Sequence, residues 1–159
     1  MAQRPSVATM PPSLEQEFPR SRPRLTTGMP TTVTSTPDYF IEEDGQVFAG
    51  RHVLADFWDC NNLDRADVIE RAFRKAAMAA GATLLDIRLH RFPSSGGISG
   101  VAILAESHIS IHTWPERGYA ALDIFMCGAC DPYRALPALR EALHPARVQT
   151  HEQRRGLTP

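Results

Sequence analysis

The sequence predicts an α+β two-layer sandwich, in which a mainly antiparallel sheet carries two helices on one face. Short turns join the strand-like segments between residues 98 and 126, which leaves no room for the helical crossovers that parallel strands need. Segments with apolar residues at helical spacing lie on either side of these strands. The predicted order is therefore hairpin, strand, helix, four strands, helix and strand.

The first half of the domain begins with a hairpin. Asp44-Gly45 is a favoured two-residue hairpin turn, and residues 39–43 and 46–49 flank it. Val53, Ala55 and Phe57 alternate with His52, Leu54 and Asp56 in a predicted strand over residues 51–58. A helix is predicted from about residue 64 to residue 80, where Gly81 can cap its C-terminus.

The second half is predicted to contain most of the sheet. Residues 83–92 are predicted to form a half-buried strand with Leu85, Ile87 and Leu89 inward. A helix is predicted to begin at Asp131-Pro132 and to end near Leu143. The remaining predicted strands cover residues 98–105, 108–114, 119–126 and 147–152, with a turn at 115–118.

Composition divides the chain into three regions. Residues 1–37 are rich in Pro, Thr, Ser and Arg and poor in aliphatic side chains, so we expect a disordered extension. Residues 38–152 are expected to form one domain, and residues 153–159 a short C-terminal tail.

Charge and hydropathy argue against several classes of function. Seventeen basic and eighteen acidic residues leave a net charge of -1, without the basic block expected of a nucleic-acid-binding protein. No apolar run approaches the roughly 20 residues that span a bilayer, and the N-terminus lacks the apolar core of a signal peptide. We therefore expect a cytoplasmic protein that binds neither nucleic acid nor membrane.

Lysine and cysteine usage narrows the chemistry further. Lys75 is the only lysine and lies on the polar side of the first predicted helix, which disfavours pyridoxal phosphate held as a Schiff base. Cys127 and Cys130 form a C-x-x-C pair, but a four-cysteine zinc site would need a second pair. Zinc binding and disulfide exchange stay open as less favoured interpretations.

One short segment concentrates reactive side chains. Residues 105–116 hold two serines, two histidines and two glutamates, and Cys127 follows. This segment resembles the self-cleavage region of the bacterial S-adenosylmethionine decarboxylase proenzymes. The resemblance extends from about residue 50 to residue 128, through Gly50-Arg51-His52, His90-Arg91-Phe92, Gly97-Ile98-Ser99-Gly100 and the block from Glu106 to Gly128.

The resemblance implies the same fold and a self-processing enzyme. Cleavage between Glu106 and Ser107 would convert Ser107 into a pyruvoyl cofactor, which holds the substrate amine as a Schiff base. The expected substrate is S-adenosylmethionine, which would be decarboxylated to the aminopropyl donor for spermidine. A homodimer of processed protomers, with sites near the dimer interface, is also implied.

The resemblance implies roles for five more side chains. His112 would move protons during processing, with Ser99 beside it, and Cys127 would return a proton to the substrate carbon. Glu116 would bind the ribose hydroxyls, and Phe92 would stack on adenine and face the sulfonium. By residue type alone, a backbone-bonded serine, a sheet histidine, an inert cysteine and a core phenylalanine stay open as alternatives.

Spacing raises two geometric points. Ser107 and His112 are five residues apart, so an uninterrupted strand would place them on opposite faces, and we expect a turn or break at Glu106-Ser107. His108 and His112 would lie about 13 Å apart on a strand, too far to share one metal ion, so no metal site is predicted there.

Two alternatives concern function. Relatives with this fold that decarboxylate arginine or ornithine would keep the cofactor and change the substrate, and the loop after Phe92 is one residue longer than its commonest form in the family. An uncleaved regulatory subunit would keep the fold without the chemistry, although the intact set of Glu106, Ser107, Ser99, His112 and Cys127 disfavours this interpretation.

Overall fold

The predicted α+β sandwich is confirmed in a computed structural model that describes residues 38–105 and 107–158. Six antiparallel strands form the main sheet in the order β4-β5-β6-β7-β3-β8, and β1 pairs with β2 in a separate hairpin. The elements are β1 Ile41–Glu43, β2 Gln46–Phe48, β3 Gly50–Trp58, α1 Ala66–Ala80, β4 Leu84–Arg91, β5 Ile98–Leu104, β6 Ser107–Trp114, β7 Tyr119–Met126, α2 Leu136–Leu143 and β8 Arg147–Arg155.

The predicted turns and caps are confirmed. Asp44 and Gly45 both have positive φ, 52° and 74°, as the central residues of a type I′ hairpin turn require. Gly81 ends α1 in the left-handed conformation with φ 78°. Asp131 accepts a hydrogen bond from the backbone N–H of Tyr133, 2.9 Å away, and opens the turn that leads into α2.

The core lies between the two helices and one face of the sheet. The inward residues of β3, β6 and β7 alternate with outward ones, and α1 buries Ile69, Phe73 and four alanines against them. Phe57, Phe73 and Ile109 are fully buried. Since alanine dominates the buried side of α1, the helix can approach the sheet closely.

Three details differ from the sequence-based expectations. Leu85, predicted to point inward, is 63% exposed, because the register of β4 shifts between Leu84 and Asp86 and this bulge turns the side chain outward. Helix α1 begins at Ala66, two residues after its predicted start. Strand β8 continues to Arg155, so the tail predicted from residue 153 belongs partly to the sheet. The extension predicted over residues 1–37 lies outside the described residues.

None of the described helices packs against the second face of the sheet, which we name the open face. It is formed by alternate residues of the central strands. Its members include His52, Leu54, Asp56 and Trp58 of β3, Ser99, Val101 and Ile103 of β5, His108, Ser110, His112 and Trp114 of β6, and Tyr119, Ala121, Asp123 and Phe125 of β7.

Thr113 fixes the loop before α1 to the sheet. Its hydroxyl is buried, donates to the carbonyl of Leu63 at 2.7 Å and accepts from the backbone N–H of Ile98 at 2.7 Å. Both backbone groups would lose their partner without this hydroxyl. Because β5 begins at Ile98, the same contact also fixes the start of the strand that carries Ser99.

We expect Thr113→Val to lower the free energy of unfolding by about 2–4 kcal/mol, because it leaves a buried donor and acceptor unsatisfied. Thr113→Ser keeps the hydroxyl and loses one methyl group, so it should cost only about 1 kcal/mol. Urea denaturation of the two variants measures the difference. Equal losses in both variants would show that packing of the methyl group, and not hydrogen bonding, is the main contribution.

Candidate active site

Ser107 and Cys127 lie together at one end of the central strands. Ser107 is the first residue of β6 and Cys127 directly follows β7. The backbone N–H of Cys127 donates to the Ser107 hydroxyl at 3.2 Å. Ser107 is only 9% exposed, whereas Cys127 is half-buried. The nucleophile and the thiol expected from the sequence are therefore neighbours.

Ser99 and His112 form a second pair, on the open face. They are directly opposite each other on β5 and β6, and the Ser99 hydroxyl lies 2.8 Å from Nδ1 of His112. His112 is exposed, so its other ring nitrogen can reach a group outside this protomer. The pair borders an open cavity of about 400 Å³ that Arg88 and His90 of β4 also line.

The two pairs do not meet within one protomer. Ala105 lies in a turn, and the chain from Ser107 to His112 is a regular strand. Ser107 faces the helices and His112 faces the open face, and the two residues are five positions apart on the strand, a distance of about 16 Å. The spacing argument therefore applies as stated: on an uninterrupted strand the two side chains lie on opposite faces. Glu106, on the other side of the expected cleavage site, lies outside the described residues.

Phe92 and Glu116 lie at the end of the sheet that holds Ser99 and His112. Phe92 follows β4 and is 43% exposed, with its ring in an edge contact with His90 at 4.8 Å between centroids. Glu116 is exposed in the 3-10 turn Pro115–Arg117, which directly follows β6. Both are therefore accessible, and neither lies near Ser107 on its own chain.

Comparison with known proteins identifies the family. The family model described as S-adenosylmethionine decarboxylase matches residues 51–156. The chain belongs to this family.

Individual relatives agree with the family match. An S-adenosylmethionine decarboxylase proenzyme of Thermomicrobium roseum is 47% identical over 109 residues, which cover 68% of this chain and 94% of the relative. One from Methanococcus aeolicus is 49% identical over 110 residues, 67% of this chain and 93% of the relative. The crystal structure of adenosylmethionine decarboxylase from Aquifex aeolicus is 35% identical, with a TM-score of 0.63 over 70% of this chain and 94% of the other.

The chain of this S-adenosylmethionine decarboxylase family member also carries a polar cluster at the centre of the open face. Nε2 of His52 lies 3.3 Å from Oδ1 of Asp123, and Oδ2 of the same carboxylate accepts a hydrogen bond from the Ser110 hydroxyl at 3.2 Å. The ring centroids of His52 and His108 are 6.1 Å apart. Burial and the neighbouring His52 lower the pKa of His108, an effect that Asp123 partly opposes.

An aromatic row lies on the open face beyond this cluster. Tyr119 stacks between Trp58 and Trp114, with ring centroids 4.4 and 5.3 Å away, and Arg147 lies over Trp58 at 5.1 Å. The Tyr119 hydroxyl donates to Asp56 at 2.5 Å, and burial together with this carboxylate raises the pKa of Tyr119 to about 12. Tyr119 therefore stays protonated at neutral pH.

The sequence analysis missed the cluster and the row because each is assembled from several strands. The available signal was the alternation of polar and aromatic residues on β3, β6 and β7, which marked one face without showing which strands were neighbours.

The described residues lack two kinds of feature. They contain no group of three or more His, Cys, Asp or Glu side chains that could hold a metal ion. No described helix has the length and hydropathy needed to cross a membrane.

Proposed function

We propose that the chain is a self-processing, pyruvoyl-dependent S-adenosylmethionine decarboxylase that is cut between Glu106 and Ser107. The observation that carries the proposal is the contact between Ser107 and Cys127, two residue types that the chemistry needs side by side. The product would be decarboxylated S-adenosylmethionine, the aminopropyl donor for spermidine. Family membership supports this substrate.

Processing needs a hydroxyl that can both attack and leave. Ser107 Oγ would attack the preceding carbonyl carbon, its amide would become an ester, and elimination across the serine Cα–Cβ bond would separate the chains. The N–H of Cys127 already donates to this oxygen, so it can hold the hydroxyl in place before the attack. Hydrolysis with loss of ammonia would then leave the pyruvoyl group at residue 107.

The residues around Ser107 fit such a group. A backbone N–H donor within hydrogen-bonding distance is what a carbonyl oxygen needs, and Cys127 supplies one. When formed, the pyruvoyl carbonyl supplies the electron sink for decarboxylation. Cys127, whose backbone N–H contacts residue 107, would return a proton to the substrate carbon. We also propose a cytoplasmic location, because a proton-donating thiol must stay reduced.

A second copy of the chain would complete the site. Ser107 and His112 lie at opposite ends of β6, so a two-fold axis between two open faces, perpendicular to β6, would bring His112 of one protomer over the Ser107 end of the other. The open face carries exposed apolar side chains, including Leu54, Ile103 and Trp114, which such a dimer would bury. This arrangement would remove the separation of about 16 Å along β6, and Ser107, the first residue of the strand, would also have to turn from the helix side toward the open face.

Glu116 and Phe92 would then bind the substrate. Both lie at the His112 end of the sheet, so in the proposed dimer they would meet the Ser107 and Cys127 of the partner copy. The exposed carboxylate of Glu116 can accept two ribose hydroxyls, and the exposed ring of Phe92 can stack on adenine and face the sulfonium.

Intact-mass spectrometry of the purified full chain tests the processing step. We expect two chains, residues 1–106 and 107–159, with the shorter one lacking the N-terminal amine. Ser107→Ala should give one uncut chain, because alanine has no nucleophile. Ser110→Ala is the matched control on the same strand and should still be cut. An uncut native chain would contradict the proposal.

Co-expression of two inactive variants tests the shared site. His112→Ala and Ser107→Ala should each stay uncut alone, because one lacks the proton carrier and the other the nucleophile. In mixed dimers the His112→Ala chain should be cut, since its Ser107 meets the partner copy's His112. Different affinity tags identify the cut chain by mass. If Ser107 and His112 act within one protomer, neither chain will be cut in the mixture.

Glu116→Gln tests substrate binding. We expect KM for S-adenosylmethionine to rise about tenfold with kcat little changed, because a charge-assisted hydrogen bond to the ribose is weakened. Steady-state release of labelled CO2 gives both constants. Glu141→Gln, an exposed glutamate on α2 paired with Lys75, is the control and should leave KM unchanged. An unchanged KM in Glu116→Gln would rule out the ribose contact.

A further inference from the structure

Cys127 shares a tight turn with a second cysteine, Cys130. The backbone N–H of Cys130 donates to the carbonyl of Cys127 at 3.3 Å, which closes a four-residue turn. Gly128, at the second position, has φ 57°, a conformation that favours glycine. The turn connects β7 to the N-cap of the next helical segment at Asp131.

This turn is held on both sides. Gly128 donates its N–H to the carbonyl of Tyr39 at 2.8 Å. On the other side, Asp131 N–H and Cys130 Sγ donate to the carbonyls of Ala80 and Gly81 at the end of α1, at 3.1 and 3.4 Å. Three backbone hydrogen bonds thus fix the turn that carries the two thiols, and the Cys130 thiol would have to leave the Gly81 carbonyl to pair with Cys127.

The turn has the dimensions that a disulfide needs. The first and fourth Cα atoms of a β-turn lie within about 7 Å, and disulfides join Cα atoms about 4.4–6.8 Å apart. Both side chains are half-buried and are thiols in this structure. A small oxidant can therefore reach them, and the bridge would require the Cys130 side chain to rotate away from the Gly81 carbonyl.

We propose that Cys127 and Cys130 form a reversible disulfide that switches the decarboxylase off. The inference rests on the proposed function, in which Cys127 donates the proton to the substrate carbon. The oxidant would be a hydroperoxide, and a dithiol would reverse the reaction.

The proposed steps balance. The Cys127 sulfur attacks the distal oxygen of the hydroperoxide, the O–O bond breaks, and the thiol proton leaves with the alcohol, which gives a sulfenic acid. The Cys130 sulfur then attacks the Cys127 sulfur, the S–O bond breaks, and the hydroxyl leaves as water with the Cys130 proton. Two thiols and one hydroperoxide become one disulfide, one alcohol and one water.

The switch would act on catalysis without undoing processing. A disulfide carries no acidic proton, so Cys127 could not protonate the substrate carbon, whereas the cut at Ser107 would already be complete. The bridge would also protect Cys127, because a sulfenic acid that meets no second thiol can be oxidised irreversibly to the sulfinic acid. Cys130 would thus be the resolving thiol of the pair.

The test uses the processed full chain treated with hydrogen peroxide. We expect the chain of residues 107–159 to lose the mass of two hydrogens and decarboxylation to fall about 100-fold, with both restored by dithiothreitol. Cys130→Ser should be as active as the native chain before treatment. After treatment it should gain oxygen atoms instead and stay inactive in dithiothreitol. Cys60→Ser, which changes the third cysteine, should behave like the native chain.

The outcomes separate this proposal from the proposed function. Failure of the chain of residues 107–159 to lose two hydrogens, or full reversibility in Cys130→Ser, would overturn the switch while leaving the decarboxylase intact. If the disulfide forms but the oxidised enzyme keeps its activity, Cys127 is not the proton donor and the switch is overturned with that role. A reduced, processed chain that never decarboxylates S-adenosylmethionine would overturn the proposed function itself.

Discussion

The two-residue repeat of β6 is the constraint on which the candidate site depends. Alternate side chains of a strand point to opposite faces, and β6 is regular from Ser107 to Trp114. Ser107 therefore faces the helices, whereas His112 faces away from them. No adjustment of side-chain rotamers can close a gap of about 16 Å between them. A chain that uses both residues for one reaction must obtain the second from another copy, which makes assembly a chemical requirement of the proposed function.

The composition of the open face is consistent with that requirement. A sheet face that stays in water tends to be uniformly polar, whereas this one combines exposed Leu54, Ile103 and Trp114 with a central cluster of His52, His108 and Asp123. Contact with a second sheet would bury the apolar groups. It would also further desolvate His108, whose pKa burial already lowers, so a neutral ring there is compatible with a close interface.

The elements of the fold that were predictable from the sequence are those determined by neighbouring residues in the chain. The hairpin, α1 and β3 were predictable, because Asp44-Gly45, the helical spacing of apolar residues and the alternation around Val53 are local signals. Leu85 was not, because its exposure depends on a bulge set by pairing with β5. The end of β8 was missed because Gln153, Arg154 and Arg155 have the composition of a tail. Arg154 is held there by a long-range ion pair with Glu43, 2.8 Å away.

The candidate site shows the same division. A motif could identify Ser107, His112 and Cys127, and residue spacing alone showed that the first two would conflict on one strand. The contact between Cys127 N–H and the Ser107 hydroxyl could not be predicted from the sequence, because it joins the start of one strand to the end of the next.

This contact places two requirements on the turn after β7. In the proposed function it must hold a backbone donor at Ser107, and it must present the Cys127 thiol to the substrate. The backbone bonds to Tyr39 and Ala80 meet the first requirement, and the same turn brings the Cα atom of Cys130 within about 7 Å of that of Cys127. Under the proposed function, the turn that positions the proton donor would therefore also place the second thiol that makes it sensitive to oxidation.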